Sequence, residues 1–176
     1  MRLSTRARYA LRMMLDVARH GSGGDPVSLA AVSERTGISR GYLEQLAMAL
    51  RSARLVRGVS GRHGGYKLTV IPSQITLGRI VEAAIGPIYL VDCLEDPSTC
   101  PRAEYCECRV VYALINRRIS DVLQEYTLAD LIDPRWLGND RLAVTRTLTQ
   151  IGDGPVDREW PVIDNDHCPA CTKAHT

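Results

Sequence analysis

Residues 29–52 read Leu29-Ala-Ala-Val-Ser-Glu-Arg-Thr36, then Gly37-Ile38, then Ser39-Arg40-Gly41-Tyr42-Leu43-Glu44-Gln45-Leu46-Ala-Met-Ala-Leu50-Arg-Ser52. Ser28 precedes the first run and Ser39 opens the last, and serine favours a helix N-cap because its hydroxyl accepts from a free backbone N–H. Gly37 stops the first helix, since glycine takes left-handed backbone without a steric penalty. Leu43, Leu46, Ala47 and Leu50 recur at helical spacing and give the longer helix an apolar stripe. A small helix, a short glycine-bearing turn and a longer helix predict a helix-turn-helix.

The longer helix presents Ser39, Arg40, Gly41, Tyr42, Glu44 and Gln45 at and near its N-terminal end, where recognition helices set side chains against base edges. Arginine can pair bidentately with guanine, glutamine with adenine, and glutamate can accept from the cytosine amino group. Glu44 has two readings of equal weight. It discriminates against wrong sequences, or it is a solvent-facing glutamate paired with a nearby arginine.

On the N-terminal side, Ser4 is positioned to cap a core helix carrying Ala7, Ala10, Leu11, Met14, Leu15 and Ala18, ended by Gly21, Gly23 and Gly24. On the other side, Leu55–Val59 and Tyr66–Val70 read as strands joined through Ser60-Gly61-Arg62-His63-Gly64-Gly65. That is a hairpin with a glycine-rich basic tip, and with the preceding helices it makes a winged helix. Arg57, Ser60, Arg62 and His63 complete the candidate DNA-binding set. Arg62 is placed to enter a minor groove, and His63 reads as a loop residue beside it. Gly64 and Gly65 are expected to supply positive φ.

Charge supports a polyanion partner. Residues 1–70 hold 12 basic and 4 acidic side chains, a net of +8, whereas the remaining residues hold 10 and 16, a net of −6. The alternative is a solvated charged face. A chain of 176 residues with 45% hydrophobic and 24% charged residues has the composition of a globular protein, not of a disordered or fibrous one. No stretch approaches the roughly 18 apolar residues of a membrane span, and the N-terminus lacks the apolar segment of a signal peptide. A cytoplasmic location is therefore expected, where six cysteines point to metal binding or redox chemistry before structural disulfides.

Thr76 should cap a further helix with Leu77, Ile80, Val81 and Ala84, ended by Gly86-Pro87. Four cysteines follow, Cys93, Cys100, Cys106 and Cys108, in a proline-punctuated polar loop with spacing C-x6-C-x5-C-x-C. Structural zinc sites prefer paired C-x2-4-C knuckles, while iron–sulfur clusters accept irregular spacing. An iron–sulfur cluster, a structural zinc and a metal-free thiol switch are the candidate chemistries, weighted in that order. No acid–base pair, nucleotide loop or substrate pocket is visible, so an enzyme or electron carrier accounts poorly for the helix-turn-helix.

The runs Arg8-Tyr9-Ala10-Leu11 through Leu15-Asp16-Val17-Ala18 and Ile38 through Leu46, together with the wing ending Gly64-Gly65-Tyr66, resemble the IscR-type family of winged-helix regulators, which includes NsrR and CymR. The resemblance spans about residues 1–132. It implies a homodimeric transcription regulator that binds a palindromic double-stranded DNA operator, with neither a membrane nor a small-molecule substrate as partner. In cluster-bearing members it implies sensing of iron–sulfur status, redox stress or nitric oxide, with 2Fe-2S favoured over 4Fe-4S. Cys93, Cys100 and Cys106 match the three cluster cysteines, with six residues in the first gap where five is usual. A histidine three residues past the third cysteine completes the IscR site; that position here is Arg109, which cannot ligate, and Cys108 is the candidate fourth ligand. All-thiolate ligation implies a more negative potential than a site with histidine. Arg6 and Arg8 stand where NsrR-like members recruit a carboxylate from the partner subunit. Gly41 replaces the serine of IscR, and Ser60-Gly61-Arg62 differs from its wing start, so target sequences need not transfer. The alternative is a zinc-stabilised or thiol-switched winged-helix repressor without a cluster.

Val111, Leu114, Ile115, Ile119, Val122, Leu123 and Tyr126 predict an amphipathic helix that pairs with a second copy, followed by a short helix capped at Thr127-Leu-Ala-Asp130. The expected fold is mainly α with a small β wing. Its organisation is a winged helix-turn-helix domain over 1–86, a cysteine-rich loop over 87–109, a dimerisation helix with its short successor over 110–132, and a weakly ordered or accessory extension over 133–176. The extension contains a possible strand from Leu142, anchoring Trp136 and Trp160, and a candidate second thiol site at Cys168 and Cys171, flanked by His167 and His175.

Overall fold

The computed structural model describes residues 3–21 and 23–133. It is mainly helical with one two-stranded antiparallel sheet, as the sequence predicts. Helix α1 spans Thr5–His20, α2 Leu29–Thr36 and α3 Arg40–Ser52. Ser4 and Ser28 cap the first two, their hydroxyls accepting from the N–H groups of Ala7 at 3.1 Å and Ala31 at 3.2 Å. Gly37 ends α2 in the left-handed region at φ 71°. Ser39 occupies the N-cap of α3 but its side chain makes no cap bond. The turn is organised instead by Ser33, which donates to the Ile38 carbonyl at 2.6 Å, and by Thr36, which donates to the Val32 carbonyl at 2.7 Å.

Met13, Met14 and Val17 of α1 meet Val32 of α2 and Leu43, Leu46 and Leu50 of α3 in one core. Apolar burial on this scale drives folding at about 25 cal/mol per Å² removed from water. Asp16 is 8% exposed at the edge of this core and accepts two hydrogen bonds from Arg35, at 2.8 and 2.7 Å, which brace α1 against α2. The guanidinium is held above its ordinary proton affinity chiefly by that bond.

The wing consists of β1, Val56–Val59, antiparallel to β2, Gly65–Leu68, with Val56 opposite Leu68 and Val59 opposite Gly65. A bridge that the sequence did not signal ties it down: Val27 and Tyr66 exchange backbone hydrogen bonds at 2.9 and 2.8 Å. This corrects the reading of Gly64 and Gly65. Neither has positive φ; in the tip only Gly61 does, at 114°. A Cβ at Gly65 would overlap the Val27 carbonyl, and one at Gly64 the Val59 carbonyl, so these glycines allow backbone to approach backbone.

Helix α4, Leu77–Ile85, is capped by Thr76 and packs on α1. A single turn, α5, covers Asp92–Glu95, and the long helix α6 covers Glu107–Glu125. The last helix, α7, Leu128–Ile132, opens on a capping box formed by Thr127 and Asp130. Leu128 is fully buried in the N-terminal core, and its N–H reaches the Ile75 carbonyl at 2.8 Å. Helix α6 itself buries no residue. Val110, Val111, Tyr112, Ile115 and Val122 all stand exposed along it. Among the described residues no helix is long and apolar enough to cross a membrane.

Candidate nucleic-acid interface and cysteine loop

The N-terminal end of α3 exposes Ser39, Arg40, Gly41, Glu44 and Gln45. Arg40 Nε donates to Glu44 Oε1 at 3.2 Å, one helical turn apart, so the pairing reading of Glu44 is realised in the free protein. Tyr42 is half-buried. Its ring meets Tyr9 edge to face at 5.7 Å, and the Arg12 guanidinium lies 5.8 Å from the centre of Tyr9. The ring contact ties α3 to α1 and no sequence periodicity signals it, whereas Arg12 and Tyr9 are neighbours one turn apart within α1.

On the wing, Arg57, Ser60, Arg62 and His63 are all exposed. Arg57 and Ser60 share an open groove with three further arginines, Arg51, Arg54 and Arg79, that the sequence reading did not include. Arg51 belongs to α3, Arg54 to the turn that ends it and Arg79 to α4, and no local pattern brings the last of these to the other two.

The cysteine loop is built from short pieces. Cys93 sits in α5, Cys100 follows a 3-10 turn at Pro97–Thr99, Cys106 occupies the N-cap of α6 and Cys108 lies in its first turn. Cys93, Cys100 and Cys106 are half-buried, Cys108 is exposed, and all four are free thiols. Asp96 shapes the turn between the first two. It accepts from the Ser98 hydroxyl at 2.8 Å and the Ser98 N–H at 2.9 Å, which hold its carboxyl below the usual carboxylate range.

Arg109 provides the loop's principal tie. Nε donates to the Cys93 carbonyl at 3.1 Å and Nη1 to the Ala103 carbonyl at 3.2 Å, and Ala103 is the one buried residue between Cys93 and Cys108. The loop has too few apolar side chains to pack itself, so hydrogen bonds to its backbone must hold it. Among the described residues no three His, Cys, Asp or Glu side chains are grouped to hold one metal ion. The four thiols are thus on one loop but not gathered. Cys168 and Cys171, with His167, His175, Trp136, Trp160 and the strand expected from Leu142, lie outside the described residues.

A family model described as Rrf2, iron-dependent transcriptional regulator, matches residues 3–134. The chain belongs to the Rrf2 family. It is 42% identical over 132 residues to the HTH-type transcriptional regulator IscR of Sodalis glossinidius, covering 75% of this chain and 79% of that one. It is 39% identical over 132 residues to protein rrf2 of Nitratidesulfovibrio vulgaris, covering 75% and 87%. Among solved structures, CymR, the global cysteine regulator of B. subtilis, superposes with a TM-score of 0.62 at 37% identity over 74% of this chain and 95% of that one. The IscR structure from T. potens gives a TM-score of 0.61 at 33% identity over 75% and 86%. These Rrf2 relatives are transcription regulators with a winged-helix fold, so this chain is a regulator and not an enzyme.

Proposed function

We propose that this Rrf2 protein is a homodimeric regulator that binds a palindromic DNA operator and that an iron–sulfur cluster on Cys93, Cys100, Cys106 and Cys108 sets its affinity. The observation that carries the reading is the direct attachment of the cysteine loop to α6: two of the four thiols belong to that helix or its cap, and Arg109, one residue on, grips the backbone at a third. The donor set fits such a group in chemistry. It offers four thiols, three of them sheltered, with a guanidinium in the same loop to offset the negative charge of thiolate ligands. Closing the loop on a cluster requires Cys93 and Cys100 to move toward the start of α6. A bound cluster, with 2Fe-2S favoured over 4Fe-4S, supplies a redox- and nitric-oxide-sensitive crosslink of the loop.

The exposed face of α6 is the surface a second copy would cover, and a two-fold dimer presents two recognition helices to two half-sites about one helical turn or a multiple apart. Contacts from α3 and the wing then read the operator through Arg40, Gln45, Glu44 and Arg62. Reading bases with Arg40 and Glu44 independently requires their mutual hydrogen bond to break. A tenfold change in DNA affinity needs only about 1.4 kcal/mol of coupling between loop and dimer geometry.

One observation favours a second reading, a thiol switch without metal: the free thiols are separate as they stand, and a cysteine regulator is among the structural relatives. Zinc is the third possibility. Absorption, iron and sulfide content of anaerobically purified protein, alongside Cys108→Ala, decide among them. A brown protein whose colour and iron fall in Cys108→Ala supports the four-cysteine cluster. A colourless protein with one zinc, or one whose DNA affinity follows a reversible disulfide with no metal, removes the cluster and keeps the winged-helix regulator.

A further inference from the structure

Between the C-terminal end of α3, the wing and α4 lies an open groove of about 950 Å³. Arg51, Arg54, Arg57 and Arg79 line it, and no acidic side chain does. All four are exposed, and among the described residues none of them is ion-paired. Among the described residues, Arg79 alone of the four donates a side-chain hydrogen bond, to the Gln74 carbonyl at 3.1 Å. Four guanidiniums around one opening repel each other unless an anion lies among them.

The backbone supplies an independent observation. Helix α3 ends in a Schellman turn, with the Leu55 N–H on the Leu50 carbonyl at 2.9 Å and the Arg54 N–H on the Arg51 carbonyl at 2.9 Å. The residue at the left-handed position of such a turn is usually glycine. Here it is Arg54, at φ 56°, the one non-glycine residue with positive φ among the described residues. The Thr69 hydroxyl holds its carbonyl in place. An arginine kept where glycine would be relaxed indicates that its side chain is needed, and that side chain lines the groove.

We propose that this groove seats the phosphodiester backbone of duplex DNA flanking the bases read by α3, with Arg54 as its anchor and Arg51 and Arg79 beside it. The groove is continuous with the wing interface, since Arg57 and Ser60 line both. Its contacts add sequence-independent affinity, because a guanidinium on phosphate reads charge and not base identity. The inference rests on the DNA-binding reading above.

The test uses the full chain and a duplex selected by the wild-type protein from a random pool, with affinity measured against KCl concentration. Arg54→Gly should melt at a higher temperature than wild type yet bind DNA about five- to tenfold more weakly, with a salt slope smaller by about one per groove. Arg79→Gln should lower the slope similarly, and neither change should alter the preference for the selected duplex over random DNA. Wild-type slopes in both variants would overturn the assignment. Tripolyphosphate that raises the melting temperature of wild type but not of Arg54→Gly, with DNA slopes unchanged, would give the groove to a small polyanion and overturn it equally. Arg40→Ala separates the two levels: if it loses the selected duplex while the groove variants keep the full slope, DNA binding stands and the groove assignment falls. Wild-type protein that selects no duplex overturns both.

Discussion

Arg109 Nε donates to the backbone carbonyl of Cys93 at 3.1 Å across sixteen residues of sequence, and its Nη1 reaches Ala103 at 3.2 Å, so the first turn of α6 grips both halves of the cysteine loop. Hydrogen bonds from a charged donor are worth about 1.5–3 kcal/mol each before solvent exposure reduces them. Arg109→Ala should therefore leave the winged domain intact while loosening the loop. Amide exchange over residues 93–104 is expected to quicken about tenfold, with exchange in α1 and α3 unchanged. Equal protection of the loop in wild type and variant would show that Arg109 does not hold it.

The pair formed by Asp16 and Arg35 makes a second stability claim. Removing one partner of a buried ion pair costs about 3–5 kcal/mol, and because the Arg35 side chain is 35% exposed a smaller cost, about 2–3 kcal/mol, applies to Arg35→Ala. Arg35→Lys should recover only part, since an ammonium cannot reproduce the two-point contact. The hydrogen bond to Asp16 raises the guanidinium's proton affinity, so its contribution is present below the ordinary arginine range and would be lost only as pH rises through that raised value, far above working pH. Urea denaturation of the three proteins at pH 7 and pH 9 checks both the order and the absence of a pH effect between them.

These interactions mark where the sequence stopped being legible. The helix-turn-helix could be read because its signals are local: Ser28, Gly37 and the spacing of Leu43, Leu46 and Leu50 each act within a few residues. The capping box at Thr127 and Asp130 is equally local. By contrast, Asp16 with Arg35, Val27 with Tyr66 and Leu128 with Ile75 join elements that no periodicity relates. Arg109 was legible only as a residue that cannot ligate a metal; that it would donate to two carbonyls depends on where the loop turns back. The candidate DNA-contacting residues and the thiols are legible from their types and places, while the arginine groove needs α3, the wing and α4 folded together.

The wing's tie to the body gives a sharp contrast between two glycines. Gly58 has nothing within 4 Å of where a Cβ would stand, whereas a Cβ at Gly65 would collide with the backbone of Val27 and Ser28. Backbone cannot swing aside as a flexible side chain does. Gly65→Ala is expected to cost about 2–3 kcal/mol and Gly58→Ala less than about 0.5 kcal/mol. Thermal melts of the two variants, compared with wild type, test the difference; similar melting temperatures would mean the bridge between Val27 and Tyr66 is not held tightly in solution.

The capping box makes the C-terminal end of the fold sensitive to acid. The Thr127 hydroxyl and N–H both donate to Asp130 at 2.7 Å and hold its carboxyl below the usual carboxylate range. A carboxyl with a lowered folded value stabilises the fold above its unfolded value, about 3.9, and this stabilisation disappears as pH falls through the lowered folded value. Asp130→Asn should melt lower than wild type at pH 6, with the gap narrowing as pH drops below about 4. Thr127→Ala, which removes the cap hydroxyl, should cost about 1 kcal/mol at pH 6. Parallel curves for wild type and Asp130→Asn from pH 6 to pH 3 would contradict the role given to this carboxylate.

Helix α6 yields the prediction that bears most directly on regulation. Nineteen residues long, it buries none of them, and Val122 is 51% exposed although it lies on the same side of the sequence pattern as Val111 and Ile115. Isolated aliphatic side chains on a surface are ordinary, but a row of them along one helix is a surface that water disfavours. Covering each such side chain is worth about 1.5–3 kcal/mol, and a two-fold contact counts every residue twice. Ile115→Glu should therefore weaken self-association by a hundredfold or more, shifting sedimentation from twice the 19.4 kDa chain mass toward the single chain at micromolar concentration. Because the side chain is already exposed in the single chain, the helical circular dichroism of α1 to α4 should be retained. DNA affinity should fall with dimer content, since one recognition helix alone holds one half-site. If Ile115→Glu and a paired Val111→Glu variant both remain dimeric with wild-type DNA affinity, the copies do not meet through α6 and the cysteine loop has no dimer contact beside it through which to act.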